Sequence, residues 1–194
     1  PFRGLHLPGG QPGRRPPFSR DWVRGRLLAA GALDGLNDEA RDVLLVMVNT
    51  GLGPSEIVDA APADWRLEAP IPHLDVTGGA RELKVAHRAR AIPLLGVSLA
   101  AARRIAARGG CARYAGRATH WSNCVNKYLR ANGLAETDRH TAYSLRHYVE
   151  DALLDAGVDE RLRVDILGHK YNRPRYGHGG GLKARRDALE KIAL

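Results

Sequence analysis

The stretch "PIPHLDVTGGARELKVAHRARAIPLLG", residues 70–96, interrupts an otherwise helical chain. Its apolar residues lose the 3.6-residue period and fall into three short runs, "PIPHLDVT", "ARELKVA" and "RARAIPLLG". Gly78-Gly79, after the first run, suits a two-residue hairpin turn because glycine accepts the positive φ such turns need. A polar break separates the second run from the third. The stretch therefore predicts a three-stranded antiparallel meander, with Lys84 near the tip of its second hairpin. A lysine on the exposed edge of a small sheet is usually just solvated, so the meander alone gives Lys84 no function.

Outward from this stretch, helical signals dominate. Ser19 suits the N-cap of "DWVRGRLLAAGAL", which places Trp22, Leu27 and Leu28 near one stripe. "NDEARDVLLVMVNTG" takes Asn37 or Asp38 as its cap and runs through Val43, Leu44 and Met47 to a Gly51 stop. It is apolar on most sides, which predicts a central helix. In "GPSEIVDA", Pro54 suits the first helical position, making Gly53 the N-cap and Glu56 the third residue of the turn. After the meander come "VSLAAARRIAARGG" and "HWSNCVNKYLRANG", the second packing Trp121, Val125, Tyr128 and Leu129. "SLRHYVEDALLDAG" is expected to start with Ser144 as cap, and "DERLRVDILGH" to run from Asp159 to Gly168. "GLKARRDALEKIAL" forms the last helix, whose apolar residues suit either this domain's own core or a neighbouring copy. The fold class is mainly α with a small antiparallel β-meander.

The chain has 194 residues, 44 % hydrophobic and 26 % charged, which suits one domain with a real core. No apolar run of about 18 residues exists to span a membrane. Cys111 and Cys124 fit no disulfide framework and read as reduced thiols of a cytoplasmic protein. The eight histidines are scattered, without HExxH or any Cys/His cluster at metal-ligand spacing, so no metal is expected. The net charge of +9, thirty Lys+Arg against twenty-one Asp+Glu, favours a polyanionic partner. Arg3, Arg14, Arg15 and Arg20 lie in a Pro- and Gly-rich beginning that has no acid and too little apolar surface to order itself. Residues 1–18 are therefore expected to be a flexible basic linker joined to an upstream domain, and residues 19–194 the folded domain.

Chemistry is concentrated in the last third. "ILGHKYNRPRYGHGGG", residues 166–181, places Tyr171 and Tyr176 in a segment too polar and broken to be core. Arg146 falls in the first turn of its helix, and His169 directly follows the Gly168 stop. A phenol, an imidazole and a guanidinium around one anion could transfer a phosphoryl group without metal. The phenol would attack phosphorus, while the cations neutralise charge on the non-bridging oxygens. Spacing alone equally allows an intrahelical ion pair for Arg146, a helix-capping His169 and two solvated tyrosines.

"NTGLGPSEI", "ELKVAHRARAIPL", "YSLRH" and "ILGHKYNRPRYG" occur in the order and approximate spacing of the tyrosine recombinase catalytic domain, and from about residue 19 onward the chain resembles a phage-type integrase. The resemblance implies a mainly helical domain that cuts double-stranded DNA through a covalent 3′-phosphotyrosine, with no cofactor, metal or ATP. It implies attachment-site DNA as partner, self-association as a tetramer on that DNA, and residence in the nucleoid of a bacterial cell carrying a prophage or similar mobile element. By motif, Tyr176 matches the nucleophile and Arg146 the second arginine of the phosphate clamp. His169 matches the histidine bonded to the scissile phosphate, and Lys84 the hairpin lysine that protonates the leaving 5′ oxygen. Glu56 matches a supporting acid. Tyr143 stands where the family has a histidine, and its phenol can still donate to a phosphate.

Position 53 departs more sharply, because Gly53 occupies the place of the first clamp arginine. Losing one guanidinium from such a transition state costs on the order of 10³ to 10⁵ in rate, by analogy with arginine fingers. Two functions follow as expectations: a site-specific recombinase impaired by Gly53, or a catalytically inactive DNA-binding module of the same fold.

Overall fold

A computed structural model describes residues 15–76, 89–170 and 180–194. The described elements are α1 (Arg20–Trp22), extended by a π-turn over Val23–Leu27, then α2 (Asp38–Thr50), α3 (Pro54–Val58) and three strands. These are β1 (Trp65–Arg66), β2 (His73–Val76) and β3 (Arg90–Pro93). The helices α4 (Gly96–Ala107), α5 (Ala118–Ala131), α6 (Ser144–Asp155), α7 (Glu160–Leu167) and α8 (Leu182–Glu190) follow.

α2 is the centre of the core. It starts where the Asn37 side chain accepts from the Ala40 N–H at 3.1 Å, and ends at Gly51 with φ 63°. Val43, Leu44, Val46 and Met47 have no solvent exposure, since α3, α4, α5 and α6 all pack around this helix. Trp121 of α5 is also fully buried, and its indole N–H donates to the Ala40 carbonyl at 3.1 Å. Polar groups fix the α2–α4 contact. Asp42 is fully buried, yet Arg104 Nε and Arg108 Nη2 reach it at 2.8 and 2.6 Å, which offsets its lost hydration. The Ser98 hydroxyl accepts from the Asn49 N–H and donates to the Leu45 carbonyl, at 3.1 and 2.9 Å.

The sheet is an antiparallel meander in the order β1-β2-β3; β2 and β3 fall in the first and third expected runs, and Trp65–Arg66 adds a strand ahead of that stretch. The first expected run supplies β2, which pairs directly with β3 through Leu74↔Ile92 and Val76↔Arg90. Trp65↔Leu74 occupies the other edge of β2. The run 80–86 falls outside the described residues. In β3 the alternation buries Arg90 and Ile92 and leaves Ala91 half-buried. That register turns an arginine inward, against α7 and α8.

Two further expectations are refined. Ser144 is the first residue of α6 rather than its cap, because its hydroxyl accepts from the Thr141 N–H at 3.1 Å and closes the preceding turn. The C-terminal segment closes this domain's own core: Leu189 and Ile192 are buried, and Asn49 pairs with Leu194 through both of its backbone groups, at 2.9 and 3.0 Å. At the other end packing is already present at Phe18, whose buried ring lies 4.7 Å from that of His140. No helix among the described residues is long and apolar enough to cross a membrane.

Candidate active site

Glu56 owes its position to the short helix α3. Pro54 occupies the first turn, and Gly53 is the N-cap with φ −74° and ψ 150°. The Glu56 carboxylate folds back to accept from the Gly53 N–H at 2.8 Å, which closes half of a capping box. Its oxygens then meet Arg90, with Nη1 at 2.7 Å from Oε1 and Nη2 at 3.1 Å from Oε2. Arg146 Nη1 stands 3.8 Å from the same Oε2. Burial alone would raise the pKa of Glu56. The bonds and charge of Arg90, the Gly53 N–H and the charge of Arg146 outweigh it and hold the carboxyl below its ordinary value.

Both guanidinium groups are anchored by helix ends. A helix leaves its last carbonyls without partners, and these carry its negative dipole end. At the end of α7, Arg90 Nε donates to the Ile166 carbonyl at 2.9 Å and Arg146 Nη2 to the Leu167 carbonyl. Arg146 Nη1 also donates to the carbonyl of Gly51, where α2 stops, at 2.7 Å. Gly168 follows with φ 68°, and a Cβ there would lie 2.6 Å from Arg90 Cζ. Only glycine lets the chain turn so close to that guanidinium.

The turn delivers His169, whose N–H returns to the Val164 carbonyl at 3.0 Å. Its half-buried imidazole has a pKa held below the ordinary 6.5, first by burial and then by the positive charge of Arg146, with Glu150 pulling the other way. It is therefore neutral at neutral pH in the ligand-free site. Tyr143 caps α6 one turn before Arg146, more than a third exposed. Its ring meets His147 edge-on at 5.7 Å and lies under the Arg15 guanidinium at 5.6 Å.

Arg146, Glu56 and His169 are thus assembled around the joined ends of α2 and α7, with Tyr143 one turn before Arg146 on α6. Tyr176, the alternative Tyr171, and Lys84 lie outside the described residues. Sequence reasoning missed Arg90. Its signal was the strand period, which puts Arg90 on the same face as Ile92, an inward position that demands a buried partner. Among the described residues no group of three or more His, Cys, Asp or Glu could hold a metal ion.

Several solved structures share this architecture. The integrase of a mycobacterium phage, Brujita, superposes with a TM-score of 0.66 at 21% identity over 91% of this chain. The fold is that of the tyrosine-recombinase catalytic domain. The chain spans 57% of the length of that phage integrase. The Tn1549 transposon integrase, solved with transposon right end DNA, gives a TM-score of 0.60 at 18% identity, covering 96% of this chain and 69% of its own. The same integrase with a circular intermediate DNA gives 0.56 at 17% identity, over 95% of this chain and 68% of its own. No family model and no curated protein sequence matches the chain.

Proposed function

We propose that the chain is the catalytic domain of a site-specific DNA recombinase that cuts and rejoins strands through a 3′-phosphotyrosyl bond at Tyr176. The observation that carries this reading is the convergence of Arg146, Glu56 and His169 on the ends of α2 and α7, within an integrase fold. In the proposed reaction the Tyr176 oxygen attacks the scissile phosphorus and the bond from phosphorus to the 5′ oxygen breaks. The phenol proton passes to the neutral imidazole of His169, and Lys84 gives a proton to the departing 5′ oxygen. Arg146 and Tyr143 donate to the non-bridging oxygens, where charge accumulates. Religation is the reverse, so the energy of the broken phosphodiester is kept and no cofactor is consumed.

The same reading gives the partners: attachment-site duplex DNA, other copies of the chain in a tetramer on that DNA, and an upstream core-binding domain reached through the basic segment 1–18. It places the protein in the cytoplasm of a bacterial cell, on the nucleoid, and in the service of a prophage or related mobile element. Gly53 leaves the clamp one arginine short and lowers the cleavage rate. It also motivates the second reading, a module that binds DNA and cuts nothing.

The test is an SDS-resistant protein–DNA adduct on nicked duplexes taken from the junctions of the encoding element. The chain should be tried alone and joined to the coding sequence that precedes it. The proposal expects an adduct that Tyr176→Phe abolishes while DNA binding stays nearly unchanged, and that Gly53→Arg increases. Binding that weakens steeply with salt, with no adduct from either the chain or Gly53→Arg, would establish the second reading.

A further inference from the structure

Two buried guanidinium groups, of Arg90 and Arg146, meet at a single carboxylate, Glu56. Their side chains are 2% and 9% exposed, so two poorly hydrated guanidinium groups stand at one carboxylate, a setting that draws an anion. Both are held rigidly, Arg90 by Ile166 and Arg146 by Leu167 and Gly51, so they need little reorganisation to receive one. The place they share is the one that position 53 faces. A Cβ built on Gly53 would meet, among the described residues, the Glu56 Oε2 alone, at 3.5 Å. An arginine there would emerge beside the carboxylate that Arg90 already grips from β3. Among the described residues Tyr143, His147, Glu150, His169 and Arg185 also act electrostatically on this cluster, Glu150 as a second acid that favours the charged form of Arg146.

We infer that Arg90 supplies, from strand β3, the second positive charge of the phosphate site that position 53 lacks, and limits the rate lost through Gly53. This rests on the recombinase reading above, since it assigns the anion as the scissile phosphate. The step is electrostatic: no bond to Arg90 forms or breaks.

The difficulty in testing it is that Arg90 also pairs Glu56, so removing Arg90 alone strands a buried carboxylate. The test is therefore run in a Glu56→Gln background, where that pair is already neutralised. Affinity for inorganic phosphate is read from the His169 imidazole resonances, and the Tyr176 adduct rate on nicked duplex is read in parallel. Adding Arg90→Met to Glu56→Gln is expected to weaken phosphate binding about tenfold and to slow adduct formation by at least about 10²-fold. Adding Arg90→Lys instead, which keeps the charge but not the fork, is expected to keep phosphate affinity within about threefold. Gly53→Arg in the Glu56→Gln/Arg90→Met chain should then recover most of the lost rate. If Arg90→Met leaves phosphate affinity unchanged in this background, or Arg90→Lys weakens it as much as Met does, Arg90 merely holds Glu56 and the inference is overturned. If the phosphate result holds and no variant forms an adduct, the charge assignment stands and the recombinase reading fails on its own.

Discussion

Glu56 accepts from Arg90 through both oxygens, and nothing of comparable strength replaces that pairing if Arg90 is removed. Arg90→Met should therefore cost about 3–5 kcal/mol, the range for breaking a buried ion pair from one side. The Glu56→Gln/Arg90→Met chain should regain part of that loss, since no buried carboxylate is left without its arginine, although Arg146 keeps its charge beside the neutral amide. Urea denaturation of both measures this, and a double variant no more stable than Arg90→Met would contradict the pairing. His169 makes a prediction of opposite origin. Its folded pKa lies below 6.5, so between that value and 6.5 the unfolded chain binds more protons and stability rises with pH. Glu56, also lowered, acts in a separate window below its ordinary 4.5. The melting temperature of the ligand-free chain should fall between about pH 7.5 and pH 5.5. His169→Gln should flatten that fall, and an unchanged slope would mean another group carries it. At this scale the places of Arg146, His169 and Glu56 at helix ends were legible, because helix boundaries single them out. The contact of Arg90 with Glu56 was not, because it depends on a strand register that pairs Val76 with Arg90, and local sequence does not fix that register.

The ends of α2 and α7 do more than stop two helices, because their carbonyls hold the arginines of the site. Gly168→Ala tests this directly. A left-handed alanine costs roughly 1–2 kcal/mol, and its Cβ would also fall 2.6 Å from Arg90 Cζ. The variant should lose at least about 2 kcal/mol in urea denaturation and bind inorganic phosphate more weakly. A loss confined to stability would mean that Arg90 is not placed by this turn. Cap chemistry made α1, α2 and α7 readable: Ser19, Asn37 and Asp159 each accept N–H groups of the first turn that follows, and Gly51 and Gly168 take the left-handed conformation. The sheet was less readable. Trp65–Arg66 is only two residues long, too short for period-two alternation to register. Ser144 misled because a serine before an apolar run signals a cap, whereas here it closes the turn behind it.

Across the molecule, Asn49 ties the last residue to the centre of α2, and Leu189 and Ile192 fill the core beside it. Deleting residues 188–194 should therefore unfold or strongly destabilise the domain, by several kcal/mol for the two buried aliphatic side chains together. A truncated chain with unchanged melting temperature and altered self-association would instead assign those residues to a partner. The sequence could not decide this, because apolar spacing gives a helix its buried face but not the surface that buries it. The +9 charge belongs to this scale as well: DNA affinity should fall steeply with salt, and a flat dependence would remove the polyanion from the account. The central claim is the covalent bond itself. Digesting the adduct formed on nicked junction DNA and mapping the nucleotide-bearing peptide by mass spectrometry tests it most directly. The account predicts a 3′-phosphate linked to Tyr176 within residues 171–179. A linkage at Tyr171, or intact DNA recovered from every reaction including that of Gly53→Arg, would contradict it.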